Sequence, residues 1–370
     1  MTSLLRRTAA FALATIVLLA CAPLAAAPQA PSSIYAVRVG PGVIGVDWQV
    51  RRPKGISGFR LYRSEKLDGP YQPIADRKAD QPFYLDADVK PSTVYLYRVA
   101  SLGEDVAESE KAGTACAWDN DQLLANGSFE LDPLGPMEGQ PASWPRRAYN
   151  WKTPVVIIEG GPDGRQCVEI RSSNTLVSGG FHSGAIPAIE GEVFDQFCWT
   201  KALPGARPSV GRCILGEDRK GVKVGSRPYD YTGAGKPRKD GWTPHEGSFT
   251  VPKTGRYCVL WLIGYQARNT FWLDGARLVD RTSQRVRAFD AEAMRAEVAK
   301  ALEASATARK QLAEFQKLET EMADCRKHMA EDRTTLSPLD YRRLLVRLDR
   351  AQQAYTNLLW EVKTMGLLLD

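Results

Sequence analysis

Histidine is scarce in this chain: three residues in 370, His182, His245 and His328, with no two at metal-ligand spacing. That excludes the common zinc templates. There is no Gly-x-Ser-x-Gly elbow and no Walker-type phosphate loop, so two widespread catalytic scaffolds are missing as well. No apolar run reaches the roughly 20 residues that span a bilayer. An excess of positive charge is lacking too. The formal net charge is +6, and +4 once Arg6 and Arg7 are set aside, which argues against nucleic acid as a partner. Between Asp280 and Gly366 the chain has no glycine at all, which sets its last quarter apart from the turn-rich rest.

What is present begins with an export pattern. A short basic start, an apolar run from Ala9 to Ala20 and then "LLAC" fit a signal peptide over residues 1–20 that ends in a lipobox. Cys21 is the expected lipidated residue and residues 21–31 a tether, giving an exported protein held in the cell envelope by its lipid. Cleavage after Ala27, with ordinary secretion, is the competing expectation, and a retained anchor the third. The six remaining cysteines fit no zinc spacing.

Residues 32–116 alternate apolar and polar positions over short runs: "GVDWQV", "GFRLYRS", "FYLDADV" and "TVYLYRVAS". Turn residues separate them at Pro53-Lys54-Gly55, Asp68-Gly69-Pro70 and Lys90-Pro91-Ser92. The regular spacing predicts a β-sandwich. With Trp48 in an early strand and "KPSTVYLYRV" near the end, the module resembles a fibronectin type III domain. That resemblance implies Tyr95 as the tyrosine-corner residue; Trp48 reads as core in preference to a ligand platform, and the module reads as a spacer.

Residues 117–282 open with "LLANGSFELDP" and close with "NTFWLDGARLVD". Strand-like runs separated by Gly/Pro turns fill the interval, and they suggest a jelly-roll β-sandwich. "NGSFE", "PASW", "GWTPHEGSFTVP" and "FWLDGARLVD", in that order, resemble the family 4 and 9 carbohydrate-binding modules, which adopt a galactose-binding-like jelly roll. The resemblance implies a calcium ion clasped between the first and last strands by Glu130, the Ser128 carbonyl and Asp274. The usual double aspartate is broken here, because Gly275 follows Asp274. Without calcium, Glu130 and Asp274 would be solvated or paired with arginine.

Sugar binding needs aromatic faces to stack on pyranose rings and polar groups for the hydroxyls. The loop aromatics Trp144, Trp151, Tyr229, Tyr231, Trp242 and Tyr265 are the candidates, with Arg268 and Asn269 as polar partners. Trp199, Trp261 and Trp272 lie within strands and read as core. Cys198 and Cys213 are equidistant from the middle of "LPGARPS". An antiparallel hairpin in that register would set them face to face as a disulfide. A one-residue slip would leave two buried thiols.

Residues 283–370 are rich in Ala, Glu, Lys, Arg and Leu, with apolar residues at helical spacing. Ser337 and Asp340 form a capping box with Pro338 at the first helical position. Tyr341, Leu344, Leu348, Ala351, Tyr355, Leu358, Val362, Met365 and Leu369 fall at successive a and d positions. An antiparallel helical hairpin or coiled coil is the expected structure. Its seam would be satisfied internally, or would pair with another copy or a protein partner.

The expected whole is mainly β and multidomain: a fibronectin type III sandwich, a jelly roll and a helical hairpin. The expected function is noncatalytic binding of an oligosaccharide or polysaccharide. A structural scaffold without sugar binding, and an accessory subunit of a separate glycoside hydrolase, are the alternatives.

Overall fold

The computed structural model describes residues 28–104, 107–137, 141–142, 144, 146–147, 153–171, 179–223, 229–264 and 269–369. Cys21, Trp151, Tyr265 and Arg268 lie outside these residues.

The first module has seven strands: β1 (Ser33–Gly40), β2 (Val43–Gln49), β3 (Gly58–Ser64), β4 (Gln72–Lys78), β5 (Phe83–Asp86), β6 (Val94–Leu102) and β7 (Ala115–Trp118). They form two sheets, β1-β2-β5 and β4-β3-β6-β7. Trp48 from one and Phe59 from the other meet edge to face with centroids 5.3 Å apart, the aromatic pairing that fills a sandwich core. The Tyr95 hydroxyl accepts the Lys90 backbone N–H at 3.0 Å, as a tyrosine corner does.

The second module contains β8 (Gly135–Pro136), β9 (Arg146–Arg147), β10 (Val155–Glu159), β11 (Gln166–Arg171), β12 (Gly180–His182), β13 (Ile186–Pro187), β14 (Val193–Ala202), β15 (Pro208–Leu215), β16 (Tyr229–Tyr231), β17 (Thr243–Thr250), β18 (Tyr257–Gly264) and β19 (Thr270–Asp280). One sheet runs β17-β14-β19-β11-β10-β8. The other runs β16-β15-β18-β12-β9, with β13 also on β18. Period-two patterning drives this packing: Cys258, Leu260 and Leu262 of β18 point into the same core as Phe194, Cys198, Phe271 and Leu273 of the facing sheet.

Three expectations need correction here. "NGSFELDP" is not a strand but a series of turns, with Phe129 at φ 61°. Its buried ring is held against Trp144 and Phe181 at 5.8 and 6.4 Å. The segment nonetheless runs along the closing strand, since Leu123 N donates to Leu278 O and Ala276 N to Gly127 O. The Cys198–Cys213 disulfide does not form. β14 pairs with β17 and β19, and β15 with β16 and β18, so "LPGARPS" crosses between sheets instead of turning a hairpin. Both residues are thiols. Cys198 points into the core between the sheets, whereas Cys213 lies on the opposite face of β15 beside Val259, so the two sulfurs do not face each other.

The third correction concerns the helices, which are α1 (Arg281–Ala288), α2 (Ala291–Ala304), α3 (Ala306–Lys310), α4 (Leu312–Glu331) and α5 (Pro338–Leu369). Only α4 and α5 form the expected hairpin. The first half is broken at Phe289-Asp290, Ser305 and Gln311, and Asp290 caps α2 by accepting from the N–H groups of Glu292 and Ala293. The capping box of α5 is present: Ser337 Oγ accepts from Asp340 N at 3.1 Å. α5 buries two faces. Leu348, Ala351 and Tyr355 meet the other helices in the large core cluster, while Leu339 and Val346 pack with Ile189 and Tyr257 of the jelly roll. Val37, Val39, Val43 and Leu85 of the first module join that same large cluster, so the fibronectin-like module is built into the body and is not a free spacer.

Candidate functional site

The outer face of β18 presents Tyr257, Val259, Trp261 and Ile263, opposite in phase to its core residues. Register places Gly211 of β15 beside Trp261 and, on its other side, Tyr231 of β16; His182 of β12 pairs with Trp261 across the other edge. With no side chain at Gly211, the Tyr231 ring reaches across and stacks on Trp261 at 5.4 Å and 25°. Tyr229 meets Trp261 edge-on at 5.4 Å, and His182 does so at 6.2 Å. Tyr231 is 42% exposed, so the cluster has an open aromatic surface. Among the described residues Trp261 Nε1 has no hydrogen-bond partner.

The patch runs directly into a cavity of about 200 Å³ lined by His182, Ser183, Cys213, Val259, Arg219 and, from the first module, Tyr35 and Gln49. Arg219 is the one lining residue with a fixed charge. It sits in the Gly216–Lys220 turn at φ 60° and donates to Asp47 Oδ2 at 2.6 Å. A bulky residue in left-handed backbone is strained, which marks the turn as held in place by its contacts. The other two histidines are committed elsewhere. His245 is buried against Thr200 Oγ1 at 3.0 Å, and burial lowers its pKa; His328 sits on α4 with Nδ1 2.8 Å from Asp324 O.

The residues expected to contact sugar divide clearly. Tyr229 and Tyr231 are in the patch. Trp144 is fully buried between Phe129 and Phe181, with Nε1 donating to Asn126 O at 3.2 Å, and Trp242 is 5% exposed; both are structural. Asn269 uses its amide to bond Pro204 O and Thr270 N around the β18–β19 connection. Trp261 was read as core and is 6% exposed; its buried ring lies beneath Tyr231. The available signal was phase: "CVLWLIG" is apolar on both faces, and one of those faces had to meet something other than the core.

Glu130 and Asp274 flank the turn "GGPDG", Gly160–Gly164. Glu130 Oε1 accepts from Arg165 N and Gln166 N at 2.7 and 2.6 Å. Asp274 accepts from Asp163 N at 2.8 Å and Gly275 N at 2.7 Å. A side chain at Gly161 or Gly164 would strike Asp274 or Glu130, so the glycines are what let the turn pass between the two carboxylates. Burial, reinforced by neighbouring Asp163 and Glu130, pushes the Asp274 carboxyl up to about 7 despite those N–H donors. Asp163 pairs with Arg277. Among the described residues no three His, Cys, Asp or Glu side chains converge on one point, so a cation here would need backbone carbonyls such as that of Ser128. The donors are hard oxygens of the kind calcium takes, but Glu130 Oε1 and both Asp274 oxygens already accept backbone N–H groups.

Fold and patch together define a fibronectin-like sandwich joined to a jelly roll whose outer sheet face carries an aromatic groove. No family model matches the chain. It is 33% identical over 92 residues to an amylopullulanase of Thermoanaerobacterium thermosulfurigenes, which is 25% of this chain and 5% of that protein's length. An Fn3-like protein from Clostridium thermocellum is similar over 25% of this chain and 92% of its own, at 25% identity and TM-score 0.22. The CBM22-1 xylan-binding domain of Paenibacillus barcinonensis Xyn10C is similar over 42% of this chain and 91% of its own, at 17% identity and TM-score 0.30.

Proposed function

We propose that this protein binds glycans without chemical turnover, through the Tyr231–Trp261 surface. The observation that carries the reading is the exposed Tyr231 ring, stacked on the buried Trp261, beside a polar cavity. Flat apolar rings suit the C–H faces of a pyranose, and His182 and Gln49 supply hydrogen-bonding groups for hydroxyls. Most glycoside hydrolysis uses two facing carboxylates, and none of the described residues lining the cavity is a carboxylate. Calcium, on this reading, is a staple at Glu130 and Asp274 that stiffens the jelly roll. Export and a lipid anchor on Cys21 would restrict binding to the cell envelope.

A glycan array probed with the full chain tests the reading, with Tyr231→Ala as the paired variant. We expect a set of related neutral glycans to bind, and at least tenfold weaker binding by the variant with an unchanged melting temperature. Absence of binding to every glycan, or equal binding by the variant, would overturn it. Retention of the Cys21→Ala protein in the membrane fraction would sink the lipid anchor.

A further inference from the structure

The groove's two ends are unlike. At the Ile263 end, β18 runs out into its connection to β19. At the Tyr257 end the first module stands across the sheet. Two steps of two residues separate Trp261 from Tyr257, roughly 13 Å of strand. Within that distance the floor passes from the aromatic patch to the cavity bounded by Tyr35 and Gln49.

Three contacts fix that boundary. Tyr35, 7% exposed, lies against the backbone at Gly184, where a Cβ would come within 2.9 Å of its ring. The Asp47–Arg219 ion pair bridges the two modules, with the Arg219 guanidinium 4.2 Å from the Tyr257 ring centroid. Arg342 of α5 donates to Val39 O of β1 while paired to Glu192 and Asp280 of the jelly roll, so the wall is anchored from behind as well. The cavity of about 200 Å³ is smaller than the roughly 300–1,000 Å³ of sites for drug-sized ligands, which suits one sugar unit and not a chain passing through. Its single fixed charge, Arg219, is already neutralised by Asp47.

We infer that the fibronectin-like module closes the groove, making it a blind site for the terminal unit of an uncharged glycan chain. The inference rests on the glycan-binding reading above and adds which part of the glycan is taken. The end unit occupies the cavity, within reach of Gln49 and His182, and the next unit lies over Tyr229 and the exposed Tyr231 ring. The first module is then part of the binding site.

The test uses the full chain with linear neutral probes: xylohexaose, cellohexaose, maltohexaose and mannohexaose, each beside a soluble polysaccharide of the same linkage. Binding stoichiometry is read by light scattering after size exclusion, and affinity by calorimetry. A blind site gives one protein per chain whatever the chain length, with per-chain affinity for hexasaccharide and polymer within about threefold. Several proteins per polymer chain, rising with its length, would overturn the blind end while leaving glycan binding intact. Failure of every probe to bind would overturn both together. Gln49→Trp, a change at an exposed position, fills the cavity; we expect at least tenfold weaker hexasaccharide binding with an unaltered melting temperature. Unchanged affinity in that variant would place the sugar outside the cavity and overturn the inference.

Discussion

Asp274 and Asp280 lie six residues apart on β19, both with no exposed surface, and their carboxyls are driven in opposite directions. Burial alone would raise both. At Asp280 that effect is overcome by Arg342, which donates to Oδ1 and Oδ2 at 2.7 Å each, and by Ser283, so the carboxyl falls to about 2. Asp274 has only backbone N–H donors and two acidic neighbours, and its carboxyl rises to about 7. One site is a finished lock with its cation supplied by the chain. The other has negative charge in excess of its donors, which is where an external cation would lower the free energy most.

The lock should break most severely. Arg342 is 1% exposed and binds Glu192, Asp280 and Val39 O, so it joins all three modules at one point. Arg342→Met leaves two buried carboxylates without a counter-ion, and we expect a loss of about 3–5 kcal/mol in chemical denaturation. A loss below about 1 kcal/mol would show that the helices hold the modules together without the triad. At the Asp274 site the corresponding experiment is addition. Calcium at about 100 times its dissociation constant should stabilise by about 2.7 kcal/mol, seen as a higher melting temperature that chelator reverses and Asp274→Ala abolishes. No response to chelator would leave the N–H donors as the whole explanation of the clasp.

How much of this was legible beforehand depends on which contacts were local. Strand positions followed from period-two patterning, and the Ser337–Asp340 cap from four consecutive residues. Tyr95, which bonds the backbone five residues upstream, was likewise within reach. The triad was not. Glu192, Asp280 and Arg342 come from three distant segments, and each reads alone as an ordinary surface charge. Asp163 was missed for the same reason, although "GGPDG" between two strands signals a turn held by something close to its backbone. The Cys198–Cys213 pairing failed because a short Pro/Gly linker serves equally for a hairpin and for a crossing between sheets. Trp144, expected at a sugar surface, is buried because Phe129 and Phe181, distant from it in sequence, close over its ring.

A smaller effect sharpens the contrast by sign. Asp280 is depressed from 3.8 in the unfolded chain to about 2, so its contribution is complete above pH 4 and is lost as pH falls towards 2. That is worth about 2 kcal/mol at about 1.4 kcal/mol per unit. Asp274 runs the other way. Its folded-state proton is held to about pH 7, so without calcium stability declines as pH rises from about 4 to 7. Denaturation curves of the chelated protein across pH 2–8, repeated with Asp280→Asn and Asp274→Asn, should show each slope vanish separately. Identical slopes in the two variants would mean that the two carboxyls do not differ as described.

The smallest expected change lies within the triad. Two carboxylates share one guanidinium, and burial leaves Glu192 with a raised pKa while Asp280 is lowered, so Glu192 is the member better able to do without its charge. Its Oε2 accepts from Ile189 N at 2.6 Å, a bond a neutral amide oxygen also makes. Glu192→Gln should therefore cost about 1 kcal/mol or less, and clearly less than Asp280→Asn, which must also give up part of the N-cap of α1. If the ranking came out reversed, Glu192 would be the true counter-ion of Arg342. The contrast along β19 would then rest on the helix cap at Asp280 more than on the arginine.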